Sequence, residues 1–234
     1  MEIYNGTSDI GNIVIVSENS HPAHLVQADI ETRIKNDTKI FVITSEGENE
    51  YTKHCEALQG KQVSISEFDG ASLENQYNIF EITDSDRLQS DFADKLFNTL
   101  TGILKNIQST EGMKAVYLNN IYPFIDNDKT GKCIKLLARL FKTAKRYNCS
   151  VIVFNWKPDD FTKQYRDDDT DYTTGILNNV KTYIITSIQD YEDMRIVSDV
   201  FHLTENEEKT VKALKSNEGM RISGKNYDLI SWQE

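Results

Sequence analysis

Five short apolar runs, spaced along the chain with helical patterns between them, constrain the fold most strongly. The interior of each run is continuously apolar, whereas a strand with one solvated face alternates between apolar and polar residues. Strands of the continuous kind are buried on both faces and are typical of a parallel sheet covered by helices. The sequence therefore predicts an α/β fold with a central, mostly parallel sheet and helices on both faces. The runs are Ile13–Val16, Lys39–Thr44, Lys114–Leu118, Ser150–Phe154 and Thr182–Thr186.

Weaker patterns complete the expected organisation. Gln62–Ser66 is expected to be a third strand and Phe80–Thr83 a short edge piece, while Gly219–Ser223 and Tyr227–Trp232 form a closing hairpin. With 234 residues, the chain is expected to form one domain over residues 1–234. The expected helices are His21–Lys35, Glu50–Gln59 (ended by Gly60), Asp86–Gln108 (with Leu88 and Leu96 inward), Lys132–Tyr147, Asp190–Asp199 and Glu205–Leu214.

The charge and cysteine content exclude several classes of protein. The formal net charge is −11, which opposes binding to a phosphate backbone, so no direct contact with nucleic acid is expected. No apolar run approaches the roughly 20 residues that span a membrane, so we expect no membrane insertion and a cytoplasmic location. Cys55, Cys133 and Cys149 are odd in number and widely spaced, which predicts reduced, buried thiols rather than disulfides.

The junction after the first strand lacks the residues that bind a nucleotide's phosphates. A mononucleotide-binding α/β domain places its phosphate loop there, with glycines that let the backbone approach the phosphates and a lysine that reaches them. Here the positions are Ser17, Glu18, Asn19, Ser20 and His21, followed by Pro22-Ala23-His24. Because the segment has no glycine and no lysine, and Glu18 adds a negative charge, hydrolysis of a nucleotide here in the usual way is not expected.

Three other segments contain some, but not all, of the residues that a metal or ligand site requires. Asp126–Gly131 resembles half of a calcium-binding loop, but its twelfth position is Leu137 rather than glutamate, which favours a simple turn. His21 and His24 are three residues apart and could share a helix face, but nothing in the sequence brings His54-Cys55 near them, so no metal is expected. Three glutamates and a tyrosine follow the second strand, where a ligand or a basic partner could bind, although a solvated acidic loop is the simpler interpretation. These residues are Glu46, Glu48, Glu50 and Tyr51.

Several segments, in order along most of the chain, resemble the motor domain of the conjugative-transfer ATPases of type IV secretion systems. Each motif is short, and the specificity comes from their order and spacing. The resemblance implies a RecA-like domain, and since Met1 stands just before the first motor strand, the family's N-terminal domain is expected to be absent. The matching segments are Phe41–Tyr51, Ala57–Ser66, Ala144–Asn148, Asp159–Phe161, Ile176–Asn179 and Phe201–Glu207.

The chain departs from that family where the family carries its chemistry. The phosphate loop (Walker A) is replaced by Ser17–His24, and the metal-organising Asp-Glu pair (Walker B) is matched by Asn119 and Asn120. Neutral amides can serve neither as a general base nor as a charged partner of Mg²⁺. The sensor glutamine of the family is matched by Asn155. This pattern predicts a pseudo-ATPase with no cofactor and no catalytic residues.

The resemblance therefore implies a non-hydrolytic component of a DNA-transfer apparatus on a bacterial mobile element. Its expected partners are proteins, either an active conjugation ATPase or further copies of the chain, at the periphery of a membrane-bound transfer complex. Two alternatives stay open. The domain could still bind a nucleotide or another phosphorylated ligand through Asn19, Ser20 and the helix N-terminus near His21, or it could be a remnant without a retained role.

Overall fold

A computed structural model of the chain describes residues 11–18, 22–45, 49–65, 68, 73–120, 131–161, 166–167 and 170–232. Within these residues, nine strands form one sheet in the order β11-β10-β9-β1-β6-β5-β2-β4-β3. The strands from β9 to β3 are parallel, and the C-terminal hairpin β10–β11 adds to β9 in antiparallel pairing. The predicted fold class is confirmed. The sheet strands are β1 Asn12–Val16, β2 Lys39–Ser45, β3 Lys61–Ser64, β4 Tyr77–Ile82, β5 Lys114–Asn119, β6 Cys149–Trp156, β9 Val180–Thr186, β10 Glu218–Ser223 and β11 Asn226–Ser231.

Helices cover both faces of this sheet and divide the core in two. The larger cluster contains buried residues of the sheet and of α4 and α5, whereas α1 and α2 contribute to the smaller one. Short 3₁₀ turns at Ala144–Tyr147 and Pro158–Phe161 precede and follow β6, and a small hairpin joins β7 (Arg166–Asp167) to β8 (Thr170–Asp171). The helices are α1 Ala23–Lys35, α2 Asn49–Ala57, α3 Asp84–Arg87, α4 Phe92–Ser109, α5 Lys132–Thr143, α6 Tyr172–Leu177, α7 Tyr191–Phe201 and α8 Glu205–Ala213.

The expected edge piece at Phe80–Thr83 is wrong, because β4 lies inside the sheet between β2 and β3. The strand begins three residues earlier, at Tyr77, and includes the fully buried polar residue Asn78. The Asn78 amide donates hydrogen bonds to the carbonyl of Asn75 at 2.8 Å and to that of Ile40 at 3.4 Å. A buried asparagine inside the strand interrupts the apolar run, and so the run looks shorter in the sequence than the strand is.

The single helix expected over Asp86–Gln108 is also wrong. Thr83 and Asp86 form a capping box that starts the one-turn helix α3, and a separate helix α4 begins at Phe92. Leu88, expected to face the core, lies in the connection and is 89% exposed, whereas Leu96 in α4 is buried. Apolar spacing of three and four residues continues across the break by chance, so periodicity alone does not reveal it.

Gly60 does not end α2 in the expected way. The residue with a left-handed backbone there is Gln59, with a φ of 55°. A side chain at position 60 would instead place its Cβ 2.4 Å from Cys55 Sγ, so the glycine is required by a close approach. The prediction of buried, unpaired thiols is confirmed for Cys55, Cys133 and Cys149, and burial raises the pKa of Cys55 and Cys149 to about 12.

Candidate functional site

The carboxyl ends of the parallel strands meet along one edge of the sheet, where open α/β folds place their ligand sites. The structure brings Ser17, Asn119 and Asn155 together at this edge, since they stand at or just past the ends of β1, β5 and β6. Thr44, near the end of β2, joins them. We call Ser17, Asn155, Asn119 and Thr44 the polar ladder.

Each step of the polar ladder joins neighbouring strands. The Ser17 hydroxyl donates to Asn155 Oδ1 at 3.3 Å, Asn155 Nδ2 donates to Asn119 Oδ1 at 2.8 Å, and Asn119 Nδ2 donates to Thr44 Oγ1 at 3.2 Å. Ser17, Asn119 and Thr44 are each at most 4% exposed. The amide groups thus satisfy one another at a buried edge, which is what buried polar groups require.

The backbone of β6 explains why an asparagine stands at position 155. The pairing of β1 with β6 shifts between Val14, opposite Val153, and Val16, opposite Trp156, so β6 bulges at this point. Asn155 has a φ of 56°, in the left-handed region that asparagine tolerates better than most residues. The bulge therefore places the Asn155 side chain in line with its neighbours on β1 and β5.

Asn120, the second residue at the Walker B position, also has a left-handed backbone, with a φ of 64°. Its N–H donates to the carbonyl of Phe154 at 2.8 Å, which continues the pairing of β5 with β6 by one residue. A glutamate at this position would carry a backbone penalty of about 1–2 kcal/mol that asparagine largely avoids. The local backbone therefore suits the asparagine present here.

Glu18 connects the end of β1 to the start of α7. Its carboxylate accepts hydrogen bonds from the backbone N–H groups of Gln189, at 2.7 Å, and Asp190, at 3.2 Å. Asp190 in turn caps α7 by accepting from the N–H groups of Glu192 and Asp193. The backbone N–H groups beside the phosphate-loop position therefore already donate to a carboxylate of the chain itself, that of Glu18.

Negative charge accumulates around this connection. Burial raises the pKa of the Asp193 carboxyl above its usual range, and the carboxylates of Asp159, Glu18 and Asp190 raise it further, while Lys157 partly opposes them. An incoming polyphosphate would meet the same carboxylates, and like charges at short range repel.

The remaining candidate residues are placed as follows. Asn19, Ser20, His21, Glu46 and Glu48 lie outside the described residues, as do Asp126 to Thr130 of the calcium-like segment. Tyr51 is buried in the core with its ring 5.3 Å from that of Phe154, whereas Glu50 is exposed at the start of α2. In the described part of the chain, no group of three or more His, Cys, Asp or Glu side chains is placed to hold a metal ion.

Sequence reasoning missed Thr44 and the bonds of Glu18. Thr44 could have been found, because it is the polar residue near the end of an apolar strand, as Asn119 is in β5. The partners of Glu18, Gln189 and Asp190, are 171 and 172 residues away and belong to another connection. Only the assembled sheet brings them together.

Comparison with known proteins agrees with this geometry at the level of fold. The structure of VirB4 of Thermoanaerobacter pseudethanolicus superposes with a TM-score of 0.78 at 12% sequence identity, over 95% of this chain and 89% of the solved VirB4 chain. The chain has the fold of VirB4. The RecA-like architecture expected from the sequence resemblance is thereby confirmed.

Two further structures share this fold. The genome packaging NTPase B204 from Sulfolobus turreted icosahedral virus 2, in complex with sulfate, gives a TM-score of 0.62 at 13% identity, over 95% of this chain and 96% of B204. EssC (ATPases 2 and 3) from Geobacillus thermodenitrificans gives 0.54 at 12% identity, over 94% of this chain and 38% of that one. No protein-family model matches the chain, and no curated protein matches its sequence. No helix within the described residues is long and apolar enough to cross a membrane.

Proposed function

We propose that the chain is a non-hydrolytic relative of the type IV secretion ATPases. In this proposal it acts as a structural or regulatory component of a DNA-transfer apparatus and works through contacts with other proteins. The VirB4-like fold supports the choice of apparatus. The proposed loss of hydrolysis rests on the polar ladder. At the Walker B position Asn119 is neutral, and its amide forms hydrogen bonds with Asn155 and Thr44.

Three features of the same edge support this proposal independently. Residues 17–24 contain neither glycine nor lysine. The N–H groups of Gln189 and Asp190 are bonded to the Glu18 carboxylate. The carboxylates around Asp193 repel a polyphosphate. A nucleotide would therefore have to displace bonded groups and overcome repulsion without the lysine that normally compensates.

A second candidate is a domain that still binds a nucleotide through a non-standard loop. One observation favours it: B204, which shares the fold, has been solved in complex with AMPPCP, AMP and ATP-gammaS. In this candidate the nucleotide would sit at the same edge of the sheet.

The deciding experiment combines ATP hydrolysis with thermal unfolding of the purified chain in ATP or ADP with Mg²⁺. B204, handled identically, serves as the positive control for binding. We expect no hydrolysis and no rise in melting temperature, whereas a ligand at 100 times its Kd would add about 2.7 kcal/mol to the free energy of unfolding. Hydrolysis above the buffer rate would refute the proposal.

The Glu18→Gln variant separates the two candidates further. If a nucleotide binds at residues 17–22, removal of the negative charge should strengthen that binding and increase the thermal shift. If the chain is a pseudo-ATPase, the variant should show no nucleotide-dependent shift either. The matched control is Glu205→Gln, which removes the same charge from the exposed start of α8.

A further inference from the structure

The last strand, β11, forms one edge of the sheet and pairs with β10 alone among the described strands. Sheet edges expose unpaired N–H and C=O groups, and proteins usually protect them with short strands, lysine, proline or bulges. The opposite edge, β3, is protected in this way, since it has four residues and begins with the exposed Lys61. In contrast, β11 has six residues in regular register and contains neither lysine nor proline.

The register of the hairpin shows which groups of β11 point outward. Gly224 and Lys225 form a two-residue turn, which makes Ser223 and Asn226 a hydrogen-bonded pair. Because such pairs alternate along an antiparallel ladder, Tyr227 and Leu229 direct their N–H and C=O groups away from β10. These groups are arranged to receive another antiparallel strand.

The same two residues carry an exposed apolar surface. Tyr227 is 49% exposed and Leu229 is 60% exposed. They lie opposite Ile222 and Met220 of β10 and therefore extend the apolar face of the sheet to its edge. An added strand would cover both side chains while it satisfied the backbone groups.

Charge does not oppose a close approach at this edge. Asp228, the charged residue of β11, is bonded to Arg221, with contacts of 3.0 Å and 2.6 Å, on the other face of the hairpin. In the neighbouring helix α8, Glu208 bonds to Ser198 of α7 and Val211 is buried. At 100° per residue, the side of α8 across Val211 from Glu208 carries Asn206, Glu207 and Thr210, and the Glu207 carboxylate accepts hydrogen bonds from Thr204.

We propose that β11 pairs with β11 of a second copy of this chain, so that two sheets join across a two-fold axis. The outward-pointing residues allow a register that places Leu229 opposite Leu229 of the second copy and Tyr227 opposite Ser231. The neighbouring register would place the two Asp228 side chains opposite each other, and like charges at that position are unfavourable. The β3 edge is protected and carries Lys61, so a head-to-tail array is disfavoured.

The size of the strand sets the strength of this pairing. Six residues at about 3.4 Å each span about 20 Å. A stable interface covers about 800 Å² on each partner, which is more than one pair of short strands provides. We therefore expect a dimer that dissociates at micromolar concentration. This pairing goes beyond the proposed function and does not depend on the proposed loss of hydrolysis.

Sedimentation equilibrium of the full chain, from low to high micromolar concentration, tests the pairing. We expect the apparent mass to rise toward twice the 26.9 kDa of one chain. The Leu229→Lys variant should weaken the dimer roughly 100-fold, because it places two ammonium groups opposite each other. Leu88→Lys is the matched control: Leu88 is 89% exposed in another part of the fold, and its replacement should leave the dimer intact.

Thermal unfolding of both variants confirms that the comparison is between folded proteins. Leu229→Thr, which keeps a good strand former and adds no charge, should give an intermediate dissociation constant. A wild-type chain that stays monomeric at every concentration overturns the proposal and leaves the edge for a strand of a different protein. A dimer that Leu229→Lys does not weaken also overturns it, because the interface must then lie elsewhere.

Discussion

Asn119 is the central residue of the polar ladder, with one bond to Asn155 on β6 and another to Thr44 on β2. In Asn119→Ala, the Asn155 amide loses its acceptor and the Thr44 hydroxyl loses a donor, both at a buried edge. Leaving a buried polar group unsatisfied costs about 1–3 kcal/mol. We expect a loss of that size in urea unfolding, and almost none in Asn75→Ala, which truncates an exposed asparagine. Equal effects in the two variants would show that the polar ladder contributes nothing to stability.

Asp193 makes the stability depend on pH in a predictable direction. Its pKa is raised in the folded protein by burial, Asp159, Glu18 and Asp190, so the folded state holds this proton more tightly than the unfolded state does. The contribution of Asp193 to the free energy of unfolding therefore falls as pH rises from about 4, the ordinary value for aspartate, through the raised value. Asp193→Asn removes this penalty.

We accordingly expect Asp193→Asn to be more stable than the wild type at pH 7, by less than about 1 kcal/mol because the group is partly solvated. The difference should vanish below about pH 4, where the aspartate is neutral in both the folded and the unfolded state. Urea unfolding at a series of pH values measures it. A variant that is less stable than the wild type at pH 7 would contradict the proposed repulsion and would indicate that the helix dipole of α7 dominates.

The break between α3 and α4 gives a test at the scale of elements. Leu88 and Leu96 both fit the apolar spacing of a single helix, but in the structure Leu88 is exposed and Leu96 is buried. Leu96→Ala should therefore cost about 2–5 kcal/mol and Leu88→Ala no more than about 0.5 kcal/mol. A large loss in both variants, measured by urea unfolding, would restore the single helix that the apolar spacing suggests.

The elements differ in how well the sequence predicts them, and the reason is physical. Five strands of the sheet are largely buried, namely β1, β2, β5, β6 and β9. Because both faces of such strands lack solvent, most of their residues are apolar, and the sequence shows each of them as an apolar run. The start of β4 is hidden by Asn78, a polar residue that is buried in the strand and donates one of its hydrogen bonds to Ile40, 38 residues away. Of the polar ladder, the sequence predicts Ser17, Asn119 and Asn155 as separate residues, since the bulge that aligns Asn155 with Asn119 exists only when β1 and β6 pair.

At the scale of the whole molecule, the net charge of −11 and the neutral β11 edge make opposite contributions to self-association. Two copies repel each other at long range. In contrast, the proposed pairing of β11 with β11 of the second copy, the β11 seam, is held by backbone hydrogen bonds and apolar contact. Salt screens the repulsion over a Debye length of about 10 Å at 0.1 M and about 3 Å at 1 M, and leaves the seam contacts largely unaffected. We therefore expect the dimer to become tighter as sodium chloride increases, as measured by sedimentation at fixed protein concentration. Weaker association at high salt would mean that ion pairs hold the two copies together, which the β11 seam does not contain.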